Sequence, residues 1–249
     1  MKISIITATF NSEFSIVDCI NSVYNQSYDD VDHIIIDGKS TDQTVELINN
    51  NNNRVKLLIS DLDNGIYDAM NKGIDLSNGD IIGILNSDDV YFNNDVLSKI
   101  AIFFKNNDAI DAVYGNLVYV KRNDINKIVR YWQSFDYNNN FFEYGNVPPH
   151  PTLFIRKSVY LKHGKFNTEF KLAADYEFML RILKVKGINS IHLNFTMVKM
   201  RLGGATNKNI ANVIKQNIEI YNAWKFNDLL MPFNFYAIKF FKRITQYFL

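Results

Sequence analysis

The stretch "ILNSDDV", residues 84–90, decides how the rest of the chain is read. Ile84 and Leu85 have the character of a buried strand end, yet the chain then presents Asn86, Ser87, Asp88 and Asp89 together. Adjacent carboxylates repel, so this pair calls for a cation, a donor-rich ligand or full solvation.

Upstream, short apolar runs alternate with helical patterns. "ISIITAT" (3–9), "VDHIIIDG" (31–38), "VKLLIS" (55–60) and "DIIGILN" (80–86) are strand-like. "FSIVDCINSVYNQ" (14–26), "TDQTVELINNN" (41–51, with Thr41 as N-cap) and "IYDAMNKGIDLS" (66–77) are helical. Such alternation predicts an α/β fold with a mainly parallel sheet covered on both faces, and ligands then bind beyond the carboxyl ends of its strands. Thr7 and Thr9 end the first strand, Asp37 the second, Asp61 and Asp63 follow the third, and Asp88 and Asp89 the fourth. Any one of these aspartates reads more readily as a turn former or helix cap than as a site residue, but four consecutive strands ending in Asp or Thr point to a site.

Composition narrows the class. The 249 residues suit one sizeable domain with an appendage, and 47% hydrophobic with 21% charged residues is the balance of a soluble globular protein. A net charge of +1 gives no general pull toward nucleic acid. Cys19, the only cysteine, excludes an intrachain disulfide and a cysteine-rich zinc site, and predicts a cytoplasmic setting. It lies in an apolar helical pattern and reads as core. "MKISIITATF" reads as a strand rather than a leader, and no apolar run is long enough to span a bilayer. No GxxxxGK[ST] and no GxGxxG string follows the first strand, which argues against ATP hydrolysis and dinucleotide redox chemistry.

Beyond residue 95 the expected elements are a helix over 96–107, strands over 112–122 and 128–135, a strand near Leu153–Ile155, and an amphipathic helix over 173–187 stopped by Gly187. Asp175 and Glu177 stand in its first turn. Asp175 reads either as a carboxylate favoured by the helix dipole or as a general base.

"ISIITATFN", "IIIDGKSTDQT" and "SDLDNGIYDAMNKGIDLSNGDIIGILNSDD" together resemble the nucleotide-binding half of a family 2 glycosyltransferase of the bacterial surface-polysaccharide type. The similarity continues through "PPHPTLFIRKSVYLKHGKFN", "AADYEFMLR" and "MRLGGAT". The resemblance implies a GT-A fold over 1–206, with a nucleotide-sugar half (1–100) and an acceptor-side half (101–206). It also implies Mn2+ or Mg2+, a nucleotide-diphosphate sugar donor, by family habit a UDP-sugar, and inversion at the anomeric carbon. By position, Thr7, Ala8 and Thr9 would line the nucleoside, Asp37 would accept from the base, and Asp63 would line the same pocket. Asp88 and Asp89 would serve metal and ribose-diphosphate, with Asp89 the main metal ligand. Asn86 replaces the first acid of the usual triplet. Asp175 matches the base position, Glu177 being a weaker second candidate. His150 resembles a position near the active site and Arg201 is placed to reach a phosphate, with Gly203 and Gly204 in a loop beside it. Lys72 reads as a solvated helix residue.

The acceptor implied is a saccharide or a polyprenyl-diphosphate-linked saccharide. Absence of a QxxRW string favours single addition over polymer synthesis. The rival readings are a nucleotidyltransferase making a nucleotide sugar and a noncatalytic nucleotide-sugar-binding module. Residues 207–249 form a helical tail. From Phe233 to Leu249, steps of about 100° gather Phe233, Tyr236, Phe240, Phe241, Ile244, Tyr247 and Phe248 opposite Lys239, Lys242, Arg243 and Gln246. This helix either lies at the inner face of a cytoplasmic membrane or docks on the domain.

Overall fold

The expected alternation is present through the first hundred residues: β1 (Ile3–Thr9), α1 (Ile16–Tyr24), β2 (Val31–Asp37), α2 (Thr44–Asn50), β3 (Val55–Ser60), α3 (Ile66–Leu76) and β4 (Ile81–Ile84). There follow β5 (Val90–Tyr91), α4 (Val96–Asn106), β6 (Ala112–Lys121), β7 (Asp124–Trp132), a 3-10 turn at His150–Thr152, β8 (Phe154–Arg156) and α5 (Lys157–His163). Then come α6 (Ala174–Met179), a π-helical continuation at Leu180–Val185, β9 (Ser190–Arg201), α7 (Ile210–Phe226) and α8 (Phe235–Thr245). The structure, a computed structural model, describes residues 1–51, 55–203 and 210–245, with side chains described as far as Lys242 in the last segment. Gly204, Gln246, Tyr247 and Phe248, and the side chains of Arg243 and Ile244, lie outside what is described.

One sheet runs in the order β3-β2-β1-β4-β8-β6-β9-β5, with β7 added on β6. β3, β2, β1 and β4 are parallel to their neighbours. The second half is mostly antiparallel: β8 opposes both β4 and β6, β5 opposes β9, and β7 opposes β6, while β6 and β9 are parallel. The sheet is therefore mixed, its parallel character concentrated in the first half. Twelve-residue β9 was not visible in the apolar pattern, because "SIHLNFTMVKMR" alternates weakly and only Met197, Val198 and Arg201 are buried.

Strand periodicity explains the two cores. Along β1, Ile6 and Ala8 join α3, α6 and α7 on one face, whereas Ile3 and Ile5 join α1 and α4 on the other. Every β1 residue is buried, as a parallel strand covered on both sides requires. α2 starts at Thr44 rather than Thr41, because Asp42 Oδ1 accepts the Thr44 amide at 3.0 Å and so closes the turn before the helix. Gly187, at φ +61°, ends the π-helical segment as expected of a C-terminal stop.

The chain moves outward from β1 to β2 and β3, then returns to place β4 on the other side of β1. Strand order reverses between β1 and β4, the place where open α/β sheets form a ligand crevice beyond the carboxyl ends of their strands. No helix among the described residues is long and apolar enough to cross a membrane.

Candidate active site

β1 outruns β4. Their register closes at Ile6 opposite Ile84, after which the Leu85 amide still bonds to the Ile6 carbonyl at 3.0 Å. Thr7, Ala8 and Thr9 continue past β4, paired on their other side with Ile35, Ile36 and Asp37 of β2, and the Thr9 hydroxyl is buried with no hydrogen-bond partner among the described residues.

Within that turn the Asp89 amide bonds to the Asn86 carbonyl at 3.0 Å, and the Asn86 side-chain amide donates to Asp89 Oδ2 at 3.0 Å. The other oxygen, Oδ1, accepts from the Arg201 amide at 3.3 Å. Asn86 thus orients the buried carboxylate, something a third acid could not do without adding repulsion. Cys19 donates its thiol to the Asn86 carbonyl at 3.4 Å, and Ser12 and Ser87 share a 2.9 Å hydroxyl contact. Cys19 is core, as its helical pattern predicts, and burial pushes its thiol up to about 12.

Burial raises the proton affinity of both acids. Asp89 lies well above the ordinary carboxylate range because it is fully buried and because Asp88 stands next to it; Asp88 is raised by burial. Two desolvated like charges are the chemistry that a divalent cation relieves. Among the described residues no three His, Cys, Asp or Glu side chains converge. Asp88 and Asp89 fit the kind of Mn2+ or Mg2+ site in which one or two carboxylates share the ion with substrate phosphates and water.

Arg201 holds this turn from behind. It pairs with Asp18 and donates to the carbonyls of Asp88 at 2.8 Å and Arg122 at 3.1 Å, with little exposure left. Its guanidinium is engaged with protein groups at the base of the turn.

Asp37 and Asp63 form the far wall. Asp37, fully buried, accepts from the Ser40 amide at 3.0 Å, the Ser40 hydroxyl at 2.5 Å and the Ser60 hydroxyl at 2.6 Å. Asp63 Oδ1 accepts the Gly65 amide at 2.8 Å, while its Oδ2 lies 2.6 Å from where a Cβ on Gly38 would stand. Only glycine at 38 lets that carboxylate rest against the end of β2.

Across the crevice, β8 runs antiparallel to β4 with Phe154 opposite Gly83, so His150, four residues earlier, projects past the carboxyl end of β4. Burial lowers the proton affinity of this imidazole below its usual range against the pull of Asp175, and its Nε2 is buried with no hydrogen-bond partner among the described residues. Asp175, in the first turn of α6, accepts a 2.9 Å hydrogen bond from the Tyr67 hydroxyl on α3. Burial, and then the charge of Asp175, raises the Tyr67 phenol well above its usual range, so it serves as a neutral donor. Glu177 lies elsewhere: fully buried, it pairs with Arg181 at 2.9 Å and accepts from Asn227 at 3.1 Å. Lys72 is also anchored, to the Leu62 carbonyl at 3.0 Å and to Asp68 at 3.2 Å.

α7 fixes α6. Glu219 Oε2 accepts the Leu172 and Ala173 amides at 2.7 and 3.0 Å, satisfying donors that α6 cannot satisfy within itself, and the Trp224 indole donates to the Tyr176 hydroxyl at 2.8 Å. α8 begins docked, with Phe235 buried against Trp224 and Tyr176. Sequence reasoning did not single out Tyr67, Glu219, Ser40 or Ser60. The usable signal for Tyr67 was its place in the first turn of a helix rising from the same strand edge.

A family model described as glycosyl transferase family 2 matches residues 4–162. A PGL/p-HBAD biosynthesis glycosyltransferase of Mycobacterium bovis is 28% identical over 82% of this chain and 78% of its own length. The Escherichia coli UDP-Glc:alpha-D-GlcNAc-diphosphoundecaprenol beta-1,3-glucosyltransferase WfgD is 29% identical over 80% of this chain and 77% of its own. Among solved structures, residues 1–349 of S. aureus TarS in complex with UDP-GlcNAc superpose with a TM-score of 0.69 at 18% identity, covering 91% of this chain and 65% of that fragment. The fold is GT-A.

Proposed function

We propose, from the premise that this chain belongs to glycosyl transferase family 2, that it transfers a single sugar from a UDP-sugar to a saccharide carried on a polyprenyl diphosphate, with inversion, in bacterial surface-polysaccharide synthesis. The placement of Asp175 carries the reading. This carboxylate is held through Oδ1 by Tyr67, which stands in the first turn of α3 beyond the carboxyl end of β3, the sheet edge that also carries the Asp88–Asp89 turn. A base on one side of the sugar carbon and a diphosphate site on the other is the arrangement that inversion needs.

Asp88 and Asp89 would hold Mn2+ or Mg2+, which supplies positive charge to the departing diphosphate. Thr7, Ala8, Thr9, Asp37 and Asp63 line the nucleotide side. His150, near enough to Asp175 to feel its charge and with Nε2 buried and unpaired among the described residues, would contact the diphosphate or acceptor. Arg201 acts on the diphosphate site through the Asp88 carbonyl it holds. The UDP donor and lipid-linked acceptor are supported by what WfgD is named for, and the donor also by the UDP-GlcNAc bound to TarS. Such an acceptor puts the reaction at the cytoplasmic face of a membrane.

The test is a screen of nucleotide sugars with Mn2+ or Mg2+, scoring thermal stabilisation and release of UDP, for the wild type and Asp175→Asn. Donor binding that survives in Asp175→Asn with transfer lost is the expected result. Undiminished transfer by Asp175→Asn removes the base assignment.

A further inference from the structure

The outer surfaces of α7 and α8 carry exposed apolar side chains that the catalytic reading does not use. On α7, Ile210, Ile214, Ile218 and Tyr221 are exposed, and at about 100° per residue they fall within one 80° sector. The face packed on the domain, with Glu219, Ile220, Ala223 and Trp224, lies on the other side. Leu230 and Phe233, in the connection, are 94% and 101% exposed.

α8 continues the surface. Phe235 docks inward, Lys242 bonds to Asn146, and Gly145 lies against Ile238 and the backbone of Lys239, so a mixed side carrying Phe235, Ile238, Lys239 and Lys242 faces the domain. Phe240 and Phe241, at 62% and 65% exposure, point away from it. The Tyr236 hydroxyl donates to the Asn217 carbonyl at 2.7 Å, which joins the start of α8 to the margin of the α7 stripe. An amphipathic helix that docked merely to bury its aromatic side would be turned the other way.

Charge selects the occupant. Residues 207–249 hold six Lys and Arg against two Asp and Glu, a balance of +4 in a chain whose total is +1, so residues 1–206 carry −3. Glu219, one of those two acids, is occupied in capping α6. Of the described cations, Lys215 and Lys225 stand on α7 away from its packed face, whereas Lys239 and Lys242 lie on the domain side of α8, and a second copy would bring the same two outward cations to this face. An anionic bilayer attracts the segment, repels the body and accepts the exposed aromatics at its interface.

We propose that α7 and α8 together form a docking surface for an anionic phospholipid bilayer. Ile210, Ile214, Ile218, Phe233, Phe240 and Phe241 enter the interface, and Lys215 and Lys225 lie at its headgroups. The proposal rests on the transfer reading only in giving the surface a purpose.

The experiment is co-sedimentation of the full chain, without donor, with phosphatidylglycerol/phosphatidylcholine vesicles and with pure phosphatidylcholine vesicles. The variants are Ile214→Asp/Ile218→Asp, Phe240→Ser/Phe241→Ser and Lys215→Glu/Lys225→Glu, each checked by circular dichroism. Expected is wild-type pelleting with the anionic vesicles and a loss of about tenfold or more in partition for each pair. The proposal is overturned by a wild type that stays in the supernatant, by equal partition into both vesicle types, by apolar variants that pellet like wild type, or by a stable dimer that those substitutions dissociate. Donor-induced thermal stabilisation, measured on the same preparations, reports separately on the transfer reading.

Discussion

The Tyr67 hydroxyl donates to Asp175 Oδ1 at 2.9 Å, joining α3 to α6 across 108 residues of sequence. This bond sets where the carboxylate points, since a helix start alone leaves its side chain several rotamers. Tyr67→Phe is expected to lower kcat about tenfold with donor KM little changed, the loss of one charge-assisted hydrogen bond at a positioned group. Asp175→Asn is expected to lower transfer by about 10²- to 10⁴-fold. Steady-state kinetics on both variants checks the ordering; equal turnover by Tyr67→Phe and wild type defeats it.

Asp89→Ala removes the buried member of the acidic pair. Metal-dependent stabilisation by UDP is expected to vanish, while melting without metal changes little, because losing a desolvated charge beside Asp88 offsets leaving the Asn86 amide and Arg201 N–H without their acceptor. Thermal shift with UDP, with and without Mn2+, reads both effects. Asn86→Asp tests the orienting amide and is expected to weaken the same response.

Glu219→Ala leaves the amides of Leu172 and Ala173 without their acceptor. A cost of about 1–3 kcal/mol in urea unfolding is expected, with a fall in turnover as the first turn of α6 loosens. Glu219→Gln, which keeps an acceptor oxygen, should recover most of both. Loss of stability with turnover intact would separate the cap from Asp175.

His33 is fully buried beside Thr7, and burial lowers its pKa to about 3 from 6.5. A histidine lowered on folding binds its proton more readily in the unfolded chain, so stability is held above pH 6.5 and falls as pH drops toward 3. The steepest slope is about 1.4 kcal/mol per pH unit for one such group. His150, His163 and His192 are lowered in the same direction, so acid lability should exceed that of one residue. Urea titrations at pH 7 and pH 5 should show His33→Gln with a smaller difference than wild type; an equal difference excludes this source.

Strand ends were legible in the sequence because the signal is local: an apolar run that stops at Thr9, Asp37, Ser60 or Leu85 can be read without knowing its neighbours. The parallel half of the sheet followed from that pattern, and so did the grouping of Asp37, Asp63, Asp88 and Asp89 at one edge. What stayed hidden depends on partners far apart in the chain. Arg201 reads as a cation free to meet phosphate, yet it is committed to Asp18 and two carbonyls. Lys72 is solvated as read, with 40% of its side chain exposed, but its contact with the Leu62 carbonyl was not readable. Tyr67 and Glu219 gain their significance only once α3 and α7 are packed against α6. The orientation of α8 was hidden for the same reason: helical spacing separates aromatic from basic residues but does not say which side meets the domain.

Gly38 offers a ruler for the nucleotide side of the crevice. A single methyl there would occupy the space of the Asp63 oxygen and push that acid toward solvent, leaving the Asp88–Asp89 turn untouched. Alanine at 38 would therefore separate recognition of the nucleoside from capture of its pyrophosphate, two contributions that truncating either acid would blur. Discrimination among bases should change in that variant while the response to cation persists.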